Sequence, residues 1–136
     1  MALLQHLKQL ANVAFQEGRY EEALTLYQNC LKVTQALGGG DSENVASDQV
    51  IRSNVVMTLI KLSQYDDARL VATVLLQDEQ YPLAPDLKVK LLYRRGIASK
   101  QLGDKSSAIS DFKSAIHFSP DQKNPMAEAE LNRLTR

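Results

Sequence analysis

Cysteine is almost missing from this chain: Cys30 stands alone in 136 residues, and there is no tryptophan. A single thiol excludes an intramolecular disulfide and any metal site built from several cysteines. Its setting among helically spaced apolar residues assigns it to the core as a small apolar side chain. Neither sign of charge is in excess. Lys plus Arg and Asp plus Glu each total 16, a formal net charge of zero, so no global field recruits nucleic acid or an anionic membrane. Electrostatic recognition has to come from a local patch. The longest apolar run, Leu70 to Leu76, is too short to cross a bilayer. The N-terminus lacks the basic, apolar and small-residue order of a signal peptide. A reducing, cytoplasmic setting is the expectation.

Catalytic signatures are missing too. His6 and His117 sit far apart with no carboxylate or cysteine at ligand spacing, which makes them surface or boundary histidines. Gly38-Gly39-Gly40 lacks the lysine and the following helix pattern of a phosphate cradle. The acidic pairs Glu21-Glu22 and Asp66-Asp67 fall where helices begin and complement the positive end of the dipole. No catalytic residue, metal ligand or cofactor is assigned. The aromatic-basic surface of a nucleic-acid binder is missing as well.

What the chain does contain is repetition. Gly18-Arg19-Tyr20-Glu21-Glu22-Ala23 returns as Ser63-Gln64-Tyr65-Asp66-Asp67-Ala68, and more loosely as Gly103-Asp104-Lys105-Ser106-Ser107-Ala108. The alanines are spaced by 45 and then 40 residues. Such a period marks a repeat protein, in which one helix pair cannot bury its apolar face alone. Hydrophobic residues at 44% and charged residues at 24% suit one soluble domain with a continuous core.

Apolar spacing and punctuation predict seven helices and no strands. Leu3, Leu4, Leu7, Leu10, Ala11 and Ala14 form the inward set of the first, which Gly18 ends. Tyr20, Ala23, Leu24, Tyr27, Cys30 and Leu31 line the second, stopped by Gly38-Gly39-Gly40 with a left-handed cap. Asp41 or Ser42 caps the third, which carries Val55, Val56, Leu59 and Leu62 inward. Ala68, Val71, Ala72, Leu75 and Leu76 face in from the fourth. Pro85 suits the first turn of the fifth, and Ala108, Phe112 and Ala115 mark the sixth. Asn124-Pro125 opens a last, polar helix that meets water on its far side.

This layout resembles the tetratricopeptide repeat family. The residues that carry the resemblance are Gly18, Tyr20, Ala23 and Tyr27, then Tyr65 and Ala68, then Gly96, Ala108, Phe112, Ala115 and Pro120. Ala11, Val56 and Gly96 fall where paired helices approach most closely, while Ser63 stands where the family has a turn glycine. The resemblance implies an all-α fold: a right-handed superhelical solenoid of three helix-turn-helix units plus a C-terminal capping helix. Its units would span about 3–37, 43–79 and 85–118, with the cap at about 124–135.

The resemblance also implies a site. Lys8, Asn12, Asn54, Lys90 and Arg94 match the family's dicarboxylate clamp, which holds the C-terminal Glu-Glu-Val-Asp tail of cytosolic heat-shock chaperones. Lys8 and Asn12, like Lys90 and Arg94, are four residues apart and share a helix face. Cations supply charge, and asparagine amides donate without adding repulsion. Arg94 can grip a carboxylate with two prongs. Phe15, Met57, Tyr93 and Ile97 would offer apolar contact to the peptide, with Met57 and Tyr93 the more exposed. Lys61 and Lys100 would extend the basic strip, whereas Arg95 points elsewhere. The expected partner is the C-terminal peptide of heat-shock protein 90 or 70, bound by a monomeric adaptor that is not an enzyme and engages neither nucleic acid nor membrane. Two alternatives remain: a scaffold for an internal acidic peptide or partner helix, and a purely structural repeat segment.

Overall fold

The structure, a computed structural model, describes residues 2–136. Among them are seven α-helices, a single 3-10 turn at Pro120–Gln122, and no strand. The helices are α1 (Ala2–Gln16), α2 (Tyr20–Leu37), α3 (Ser42–Lys61), α4 (Tyr65–Gln77), α5 (Pro85–Gln101), α6 (Lys105–Phe118) and α7 (Pro125–Leu134). They fall into two compact units, one ending at Gln64 and the other starting at Tyr65.

In the first unit α1 packs on α2, and α2 on α3. Leu4, Ala11 and Ala14 are the buried residues of α1. Leu3 and Leu10, expected inward, are 55% and 42% exposed. The reason is helical phase: each precedes a buried position by one residue, and one residue is a step of about 100° around the axis. Ala23, Tyr27, Cys30 and Thr34 are buried on α2. At its end Gly38 has φ 78° and ψ −178°. The cap is therefore not the left-handed helical one expected but a positive-φ extended conformation open essentially to glycine alone. Asp41 caps α3 by accepting from the Glu43 N–H at 2.9 Å. Buried Asn44 then donates its amide to the carbonyls of Thr34 and Gly38 at 2.9 and 2.8 Å. One side chain thus serves two carbonyls at the end of α2, the Thr34 carbonyl accepting the Gly38 N–H as well.

In the second unit α4 packs on α5, α5 on α6 and α6 on α7. Ala68, Ala72 and Leu75 are buried on α4, while Leu70 and Val74 turn outward, 63% and 62% exposed. The longest apolar run of the chain is thus split between two faces of one helix. Leu92, Ala108, Phe112, Ala115 and Ala127 form the core cluster. Gly96 lets α5 approach α6 across the Phe112 ring. Asp104 caps α6 through the Ser107 N–H, and Asn124 caps α7 through the Ala127 N–H. Glu128 returns the contact to the Asn124 N–H at 3.0 Å, a reciprocal arrangement related to the capping box. The last helix is less polar than expected: it buries Ala127 and Glu130 and lays Leu131 and Leu134 on the cluster.

The three corresponding turns share one backbone shape. Gly18 and Gly103 have φ 79°, and Ser63, in the same place, has φ 60°. Serine there accepts a conformation that costs an L-residue roughly 1–2 kcal/mol.

Candidate peptide-binding residues

On α1, Lys8 is half-buried and Asn12 exposed, one turn apart on the same face. The Tyr27 hydroxyl of α2 donates to Asn12 Oδ1 at 2.6 Å. With its oxygen engaged, the Asn12 amide offers its amino group as the donor end. Burial pushes the Cys30 thiol above its ordinary range, and the Lys8 ammonium partly offsets this, so the Lys8 charge is felt at α2. Phe15 is half-buried, its ring edge-on to Tyr20 at 5.2 Å between centroids. That contact gives Phe15 a packing partner inside the first helix pair.

On α3, Asn54 and Met57 are half-buried and Lys61 is exposed. Spacings of three and seven residues put all three on one stripe. Arg52, nearby, is engaged by Asp48 one turn earlier, with Nε to Oδ1 at 2.5 Å.

On α5, Lys90 is exposed and Arg94 half-buried, again one turn apart. Tyr93, expected to be among the more exposed apolar residues, is half-buried instead. Its ring lies 5.7 Å from that of Phe112, tilted by 56°. Burial, reinforced by the charge of Glu130 and partly opposed by Arg133, raises its phenol above the ordinary tyrosine range. Ile97 packs against the same cluster. Both side chains brace α5 against α6 and α7.

On the same helix, Lys100 and Arg95 are engaged by carboxylates. Lys100, expected to extend a basic strip, donates to Glu130 Oε2 at 2.7 Å, and Arg133 takes the other oxygen at 2.7 Å. Arg95 grips both oxygens of Asp111, at 2.8 and 2.7 Å, and reaches Thr73 at 3.2 Å. Asp111 is only 5% exposed. Arg95 is therefore half of a structural ion pair that ties α5 to α6. Among the described residues no group of three or more His, Cys, Asp or Glu side chains is placed to hold a metal ion. No helix there is long and apolar enough to cross a membrane.

Comparison with known proteins gives this arrangement relatives. Sequence models described as tetratricopeptide repeat match residues 1–71 and 89–122. The chain is 30% identical over 118 residues to peptidyl-prolyl cis-trans isomerase FKBP42 of Arabidopsis thaliana, covering 82% of this chain and 31% of that protein. The chain thus spans about a third of that relative's length. Among solved structures it is similar to the second TPR domain of human RPAP3 in complex with the HSP70 peptide SGPTIEEVD. That likeness has 26% identity, a TM-score of 0.68, and coverage of 96% of this chain and 92% of that one. The myosin chaperone UNC-45 from C. elegans, in complex with an Hsp90 peptide, is 28% identical with a TM-score of 0.72, covering 97% of this chain and 13% of that one.

Proposed function

Because the chain belongs to the tetratricopeptide repeat family, we propose that it is an adaptor that captures the acidic C-terminal tail of heat-shock protein 70 or 90. The donors we propose for the tail are those the family resemblance implies: Lys8, Asn12, Asn54, Lys90 and Arg94. The repeats are the helix pairs at about 3–37, 43–79 and 85–118, with α7 as the cap. The observation that carries the reading is the likeness to the RPAP3 domain, which spans nearly the whole of both chains and was solved with an HSP70 peptide. The UNC-45 likeness supports heat-shock protein 90 as a second source of the tail. The isomerase relative transfers no activity, since the match covers only 31% of it; the role is binding, not catalysis, in a cytoplasmic setting.

The chemistry of the donors fits a terminal aspartate, which presents two carboxylates within a few ångströms. Charge-assisted hydrogen bonds are the stronger kind, and an asparagine held by Tyr27 is ready to donate without rearrangement. Met57 and Lys61 continue the α3 stripe and serve the residues upstream of the terminus, Met57 through a polarizable side chain that adapts to its contact. Phe15, Tyr93 and Ile97 line the peptide with whatever surface their packing leaves accessible.

Calorimetry with free-acid and amidated tail peptides tests the reading. Amidation of the terminus should weaken binding by at least tenfold, about 1.4 kcal/mol. Equal affinity for acid and amide would replace the clamp with an internal acidic peptide as the ligand.

A further inference from the structure

A cavity of ≈ 700 Å³ opens where the start of α5 meets the end of α6 and the start of α7. Val89, Phe118, Pro120 and Pro125 give it an apolar lining. Phe118 is 44% exposed, a large aromatic left at the surface of a chain that has only three phenylalanines. Lys88 Nζ lies 3.7 Å above the Phe118 ring, and two other lysines, Lys90 and Lys123, line the cavity. Among its described lining residues Asp86 is the one carboxylate. The walls are held by hydrogen bonds: Ser119 Oγ donates to the Ala115 carbonyl at 2.6 Å, and Asn124 Nδ2 donates to Ser119 Oγ at 3.1 Å. Ligand pockets combine an apolar interior with a few placed polar groups in this way.

We propose that this cavity is a second docking site, for an internal peptide segment with one large apolar side chain flanked by carboxylates. The apolar side chain would lie on Phe118 beside Val89. The flanking carboxylates would pair with Lys88, Lys90 and Lys123. Charge complementarity selects the occupant: Lys90 and Lys123 in the lining, with Lys88 beside them, favour carboxylates around the apolar side chain, and a basic segment would be repelled. This site needs no free C-terminus, so it does not depend on the tail reading. It shares Lys90 with the proposed clamp, and occupancy of one therefore weakens the other.

NMR titration of the full chain with the N-acetylated, C-amidated pentapeptide Glu-Asp-Phe-Asp-Glu tests this. Saturable shifts at Val89, Phe118 and Asn124 are expected at sub-millimolar to about 1 mM peptide. Phe118→Ala and the loop variant Lys123→Glu should each weaken the probe by about tenfold, with circular dichroism unchanged. Lys8→Ala should leave it alone, and replacing the probe's phenylalanine by glycine should abolish the shifts. Absence of saturation, or binding that survives Phe118→Ala, overturns the proposal. So does concentration-dependent self-association abolished by Phe118→Ala, which would place a second copy of this chain in the cavity. A chain that takes the probe but ignores the chaperone tail removes only the clamp.

Discussion

Gly96 faces the ring of Phe112 so closely that a Cβ built on it would come within 2.7 Å of Cε1 and 3.0 Å of Cδ1 and Cζ. Phe112 is fully buried, so the ring cannot swing away as the end of a surface side chain would. Gly96→Ala should therefore destabilise the domain by about 1–3 kcal/mol through overpacking. Chemical denaturation checks this, and Phe112→Leu in the same chain should recover part of the loss. Full stability of Gly96→Ala alone would mean that α5 and α6 are farther apart than described.

Arg95 and Asp111 make the second prediction. Breaking a buried charge pair from one side strands the other charge and costs about 3–5 kcal/mol. Arg95 retains partial exposure, its side chain 23% accessible, which moderates the effect to roughly 2–3 kcal/mol. Arg95→Ala should thus lower the melting temperature visibly, and is no neutral control for binding despite adjoining Arg94. Lys113→Ala, an exposed cation on α6, serves that purpose. It should leave both melting and tail affinity unchanged.

Tyr27→Phe separates the orientation of Asn12 from its presence. The variant removes the hydroxyl that donates to Asn12 Oδ1 and keeps the buried ring. Tail affinity should fall by about 0.5–1.5 kcal/mol, the net value of one hydrogen bond, and Arg94→Ala should cost about 1.5–3 kcal/mol, the range for hydrogen bonds to charged groups. Calorimetry that found Tyr27→Phe equal to wild type would take Asn12 out of the clamp.

Asp104 carries the pH dependence. The Ser107 hydroxyl and N–H, and then Arg69, hold its carboxyl below the ordinary value of 3.8. A carboxyl depressed in the folded state contributes stability that is full above its unfolded pKa and lost as pH falls through the folded one. The melting-temperature gap between wild type and Asp104→Asn should be widest near neutrality. It should start to close around pH 3.8 and vanish at lower pH. A gap that widened in acid would contradict the assignment.

Ser63→Gly should stabilise the chain. The substitution relieves a positive φ of 60°, and the gain is up to about 1 kcal/mol once glycine's added freedom in the unfolded chain is counted. Thermal melting reads it directly. A lower melting temperature would show that the serine side chain contributes more than its backbone costs.

Local chemistry was readable in the sequence, and long-range pairing was not. The helix breaks, a cap at Asp41 or Ser42, the cap at Asn124 and Pro85 at the start of α5 follow from neighbours a few residues away, although the phase of α1 was misread at Leu3 and Leu10. The close approach at Gly96 was implied by the family resemblance, whereas the Phe112 ring it meets was not. By contrast, Lys100 meets Glu130 across thirty residues, and nothing near Lys100 announces that partner. Tyr93 looked like surface because its periodicity does not reveal that α7 closes over the same cluster. Of the candidate site, Lys8 with Asn12 and Lys90 with Arg94 came from the family resemblance, and spacing added only that each pair shares a helix face. The hydrogen bond that aims Asn12 was not legible, because it depends on how α2 folds back onto α1.

The grip of Glu130 on Lys100 and Arg133 sets a margin for anyone who trims this gene. A clone that stopped after Gln122 would keep every residue proposed to hold the tail and look complete. It would also strip the cover from Leu92 and Phe112 and leave Lys100 without its carboxylate. The product would be sticky and poorly soluble, and an assay on it would report a lost interaction when what had been lost was the lid of the core.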